Sequence, residues 1–138
     1  MAARVRLAAA PLVLAGCYAS SVVAPQDRAV AEDLPAAAWR PATAGDLDGL
    51  FTSARIAGDA ALSLRFCAYV FAADGRYTGA ALVDGDDGPA FQTLSGRWAL
   101  GEGGLRLDDA PPARCEAAAG WLRLTAGDGS LLLHRERR

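Results

Sequence analysis

The chain contains no lysine and no asparagine, and its single histidine, His134, stands four residues from the C-terminal Arg138. All 14 basic residues are therefore arginines, set against 16 acidic residues for a formal net charge of −2. With alanine abundant as well, this bias reads as the codon usage of a GC-rich genome. The arginines are scattered through acidic surroundings, so the concentrated basic face that a phosphate backbone requires is missing and nucleic acid is excluded as a partner. Long apolar runs are missing too. The best one, residues 7–15, is far too short to cross a bilayer as a helix. Beyond residue 46 no segment combines the length and the 3.6-residue period of an amphipathic helix.

What the N-terminus does have is a basic start, Arg4 and Arg6, then the apolar run, then Leu14-Ala15-Gly16-Cys17. That order of parts is a secretory signal peptide. The last four residues resemble the bacterial lipobox, and the resemblance implies cleavage before Cys17 and diacylation of its thiol. The signal peptide is then 1–16, and loss of Arg4 and Arg6 takes the formal charge from −2 to −4. An ordinary secreted protein cut near Ala19 is the alternative. Acyl chains contribute about 0.8 kcal/mol per buried methylene, so a palmitate-type anchor at Cys17 would hold the protein on the cell envelope. Tyr18 after the cysteine, by resemblance to lipoprotein sorting, implies the outer membrane where the cell has one.

The remaining chain suffices for one small domain. Residues 17–41 are expected to be the lipidated cysteine and a tether, with Pro25, Pro35 and Pro41, small residues and little periodicity; Trp39 is expected to pack on the domain. The domain itself is expected over 42–138. With Cys17 acylated, Cys67 and Cys115 form an even pair in an oxidising compartment and are expected to make a disulfide, worth about 4 kcal/mol in chain entropy. A metal site built from these cysteines and His134 lacks a fourth ligand and close Cys-x-x-Cys spacing.

Short apolar runs bounded by Gly and Asp predict an all-β fold. Strands are expected over 47–56, 61–71, 76–83, 91–100, 105–107, 114–118, 121–125 and 131–135. Asp74-Gly75, Ala119-Gly120 and 127–129 supply the turns, and 84–89 an acidic loop. About eight strands in an antiparallel meander close into a small barrel; a two-sheet β-sandwich is the alternative. One conflict stands in the pattern. Strict alternation sets Cys67 with Arg65 and Tyr69, opposite Leu64 and Phe66, while Cys115 points inward. A bulge near 66–68, or a meeting at the barrel rim, would reconcile them.

The hairpin Leu94-Ser95-Gly96-Arg97-Trp98-Ala99-Leu100 with Leu105-Arg106-Leu107 resembles the G-x-W…L-x-L unit of small bacterial lipocalin-like proteins. Asp74-Gly75-Arg76-Tyr77-Thr78-Gly79 is similar to their D-G-x-Y hairpin. The resemblance implies a lipocalin-like barrel with an interior able to hold a small apolar ligand. Trp98, Tyr77 and Trp121 would supply apolar contacts and Arg97 or Tyr69 would orient a polar group. No nucleophile, base and orienting group converge, His134 reads as a surface residue, and 84–89 lacks the glutamate of a full calcium loop. The expected role is binding or accessory, toward a small ligand or an envelope protein, without a cofactor. Inhibition of an extracytoplasmic hydrolase through the acidic loop is the alternative.

Overall fold

The computed structural model describes residues 34–137. The signal-peptide and lipidation assignments, Cys17 included, lie outside the described residues. Nine strands follow in chain order: β1 (Arg40–Pro41), β2 (Gly49–Ala57), β3 (Leu64–Phe71), β4 (Arg76–Gly85), β5 (Gly88–Gly101), β6 (Gly104–Leu107), β7 (Arg114–Ala118), β8 (Trp121–Ala126) and β9 (Gly129–Arg135). They form one antiparallel sheet in the order β1-β7-β8-β9-β2-β3-β4-β5-β6. Because β9 pairs back onto β2, the meander β2 to β9 curls into a nearly closed barrel, and the two-sheet sandwich is not formed.

A single bridge makes the seam. Leu105 and Ala113 exchange both backbone hydrogen bonds, at 2.7 and 2.8 Å, joining β6 to the residue before β7. Gly104 permits that approach: its φ is +113°, and a Cβ there would collide with the Ala113 carbonyl. The short strand β1 pairs with the other half of the same β7 edge, Arg40 opposite Ala117 and Pro41 opposite Glu116. Trp39 stacks under the Arg123 guanidinium, 4.3 Å from the ring centroid. Trp39 thus packs on the barrel as expected, and Arg40 and Pro41 belong to the folded unit instead of the tether.

Turn chemistry is where the sequence pattern and the fold agree best. Asp74-Gly75 forms the β3–β4 turn, with the Asp74 carboxylate accepting from the Arg76 N–H at 3.0 Å. Ala119-Gly120 turns β7 into β8 with both residues at positive φ. Two expectations shift. The front of the expected 61–71 strand is a 3-10 turn, Gly58–Leu62, so β3 starts at Leu64. The acidic loop shrinks to the two-residue turn Asp86-Asp87, since β4 and β5 stay paired out to Gly85 opposite Gly88.

The alternation conflict at Cys67 is resolved by a bulge at Arg65, one residue ahead of the expected stretch. Leu64 pairs with Val83 and Phe66 with Leu82, so Arg65 is left over and the facing resets. Cys67, Tyr69 and Phe71 then face inward, while Arg65 is pinned outside by Asp84 at 2.7 Å. The inward side chains fill the barrel: Leu47, Phe51, Cys67, Leu122 and Leu133 are each 1% exposed or less. Leu47 enters from the 3-10 turn Ala44–Leu47, which lies over one end as a cap. That cap is held by Arg40, bidentate on Asp46 at 2.7 and 2.8 Å, and by Arg135 donating to the Asp46 carbonyl at 2.7 Å.

Candidate functional site

Of the five residues proposed to line a ligand site, three come together. Tyr69 and Tyr77 lie 6.2 Å apart between ring centroids, and Phe71 stands 6.5 Å from Tyr77 and 6.0 Å from Trp98. They gather at the capped end of the barrel, as packing against Phe51 and Phe71 and not around a hollow.

Tyr77 and Trp98 have their polar atoms engaged within the fold. Trp98 donates its Nε1–H to the Ala72 carbonyl at 2.8 Å, fastening β5 to the β3–β4 turn. The Tyr77 hydroxyl donates to Asp108 at 2.8 Å, and the same carboxylate accepts the Arg97 N–H at 2.9 Å. These bonds hold the Asp108 carboxyl below the usual carboxylate range, the Arg97 N–H contributing most. Gly96 makes the arrangement possible, because a Cβ at that position would occupy the place of the Asp108 carboxylate. The motif Gly96-Arg97-Trp98 therefore builds a corner of the barrel. Burial pushes the Tyr69 phenol up to about 12, so it stays neutral.

Arg97 and Trp121 do not join this group. The Arg97 side chain is exposed. Trp121 pairs across β8 and β9 with His134, their rings 4.4 Å apart, in a row that continues to Thr52 on β2. Their chain neighbours Leu122 and Leu133 fill the interior, so this row lies on the outer face. Glu136 completes it, accepting from the Thr52 hydroxyl at 2.6 Å and lying 3.8 Å from His134 Nδ1. A threonine, a glutamate and a histidine meet here.

Cys67 and Cys115, expected to be bridged, stand as free thiols. They occupy β3 and β7, which three strands separate in either direction around the barrel. Burial pushes the thiols up, to about 11 for Cys67 and about 12 for Cys115. Among the described residues no group of three or more His, Cys, Asp or Glu is arranged to hold a metal ion.

Open space lies at a gap in the barrel wall and along its outside. Where β2 and β3 part, a cleft of about 670 Å³ runs past Ser53, Ile56, Leu64 and Leu82, ending on the Arg65–Asp84 pair. A second, of about 520 Å³, lies between residues 34–39 and the outer side of β8, β9 and β2. A third, of similar size and more polar, lies beside His134, Arg135 and Arg137. No local pattern announces these clefts, since each is formed by segments far apart in the chain. Compared with protein-family models, with curated proteins and with solved structures, the chain matches none.

Proposed function

We propose that the protein is a lipid-anchored module of the cell envelope that acts by binding a partner on the outside of its barrel. The anchoring half of this reading is supported by Leu14-Ala15-Gly16-Cys17 behind a basic, apolar leader; Tyr18 after the cysteine favours the outer membrane where one exists. The binding half is carried by one observation. Leu47, Phe51, Cys67, Leu122 and Leu133 fill the space where a lipocalin-type ligand would sit, all at 1% exposure or less. A filled interior leaves the outer surface as the place for recognition.

The test pairs chemistry with location. Mass spectrometry of the membrane fraction is expected to find an acylated N-terminal cysteine, and Cys17→Ala to release the protein from that fraction. A soluble mature form beginning at Ser20 would refute the anchor. A second reading, inhibition of an extracytoplasmic hydrolase, draws support from the β4–β5 hairpin. Residues 89–93 of β5 are exposed on both faces behind the acidic turn Asp86-Asp87. A rigid hairpin of that form can enter a catalytic cleft, and loss of inhibition on shortening it would be the deciding measurement.

A further inference from the structure

The long strand β5 has two neighbours that share it end to end. Residues 88–97 pair with β4, and residues 98–101 pair with β6 on the opposite edge. Among the described residues, no strand lies beside that opposite edge from 89 to 95.

Hydrogen-bond parity decides which groups face the gap. Gly85 and Gly88 pair directly across a two-residue turn, so even-numbered residues of β5 direct N–H and C=O toward β4 and odd-numbered ones direct them away. Arg97 verifies the parity: its N–H and its carbonyl both bond Asp108, on the side away from β4, at 2.9 and 2.8 Å. The amide and carbonyl groups of Thr93 and Ser95 therefore point into the gap, and they have no partner among the described residues. Pro89 occupies the same edge at a position where no N–H is needed for the ladder, as prolines of edge strands do.

Exposed edges are normally blunted by charge, but 88–96 contains no charged residue. Charge is placed at the two ends instead. Asp86 and Asp87 stand exposed at the hairpin tip, and Asp108 and Asp109 stand exposed at the other end, beside Arg97. Chain already occupies the edge at Asp108, so an incoming strand has to stop there. This disfavours a second copy of the same barrel, whose own hairpin would have to continue past that point.

We propose that the free edge of β5 is a docking site for an extended segment of a partner protein. The segment adds as a further strand, uncharged over about five residues and basic at its ends. Main-chain bonds to Thr93 and Ser95 supply register, and the four carboxylates select the flanking cations. The proposal rests on the surface-binding reading and does not depend on the lipid anchor.

The test uses the full chain and a synthetic seven-residue peptide of alternating threonine and valine with a lysine at each end. Binding is expected to slow amide hydrogen exchange at Thr93 and Ser95 at least tenfold, and the same peptide with glutamate ends to bind at least tenfold more weakly. Thr93→Pro removes an outward N–H that the β4–β5 ladder does not use. It is expected to abolish binding while the melting transition persists, and Ser95→Pro serves if that variant fails to fold. Unchanged exchange at both amides with saturating peptide, or undiminished binding by a folded proline variant, would overturn the proposal. So would concentration-dependent protection of these amides without peptide, which would make the occupant a second copy. In cells, cross-linking from the β5 edge is expected to yield an adduct that Thr93→Pro loses. An adduct retained by Thr93→Pro overturns the edge but leaves surface binding standing. No adduct from any outer face overturns both.

Discussion

Cys67 and Cys115 show how differently a residue reads once its neighbours are known. In sequence they are an even pair awaiting oxidation. In the fold each is sealed into the core, at 0% and 5% exposure, on strands facing each other across the barrel. Burial favours the uncharged form of each and raises both thiols well above neutral pH, so thiolate, the reactive species, is scarce. The native protein is expected to resist a soluble maleimide for hours at pH 7.5 and to take up two labels per domain once unfolded without reductant. A bridged pair would label only after reduction, and labelling of the native state would place a thiol on the surface. The facing of Cys67 could not be read from alternation, because it depends on the bulge at Arg65. That bulge is stabilised by Asp84, 19 residues away in sequence. Local pattern located the turns at Asp74-Gly75 and Ala119-Gly120, where the chemistry is contained in two adjacent residues. It could not tell Trp98 from Trp121, which stand on different faces of the barrel wall because of pairings made far along the chain.

Among the elements, the seam and the end cap carry the closure. Strand β6 has four residues and meets the last wall through one bridge, so Gly104 is its critical position. Gly104→Ala imposes both a left-handed backbone on alanine and a collision with the Ala113 carbonyl. It is expected to cost about 2–4 kcal/mol, read as a lowered melting temperature with fast exchange at the Leu105 and Ala113 amides. Normal protection of those two amides in the variant would show that the barrel closes otherwise. The cap depends on Asp46, whose carboxyl is held well below the usual carboxylate range, first by Arg40 and then by the backbone and hydroxyl of Thr43. A depressed folded-state value means stability present above the ordinary carboxylate range, near 4, and lost as pH falls below it. The wild-type melting temperature is therefore expected to fall between about pH 5 and pH 2 by a few degrees more than that of Asp46→Asn. Equal acid sensitivity would remove Asp46 from the cap. The meander of about eight strands was legible because each turn is signalled locally. The free edge of β5 was not, because an edge is defined by the absence of a neighbour and sequence records only which residues could pair.

At the level of the whole molecule, the question is what a barrel of this size gains by being solid. Eight strands enclose an interior that side chains can fill or that can hold one small ligand. Here Phe51 decides it, at 0% exposure beneath the cap, with Leu47 and Phe71 against it and the Arg135 guanidinium 5.3 Å from its ring centroid. The filling around Phe51 means that apolar compounds have no room there, and that removing the central ring should create it. Phe51→Ala is expected to cost about 3–5 kcal/mol, partly from lost transfer energy and partly from the cavity. That is a large share of the 5–15 kcal/mol that stabilises an ordinary domain. Below its melting temperature the variant is expected to bind a small apolar probe such as benzene, detected as a concentration-dependent rise in melting temperature. The wild type should show none. If the wild type is stabilised by the probe as much as Phe51→Ala, the interior admits ligands after all, and recognition returns to the inside of the barrel. If only the variant responds, the native protein has used this part of its interior for stability, and the binding reading has to be tested on the outer wall.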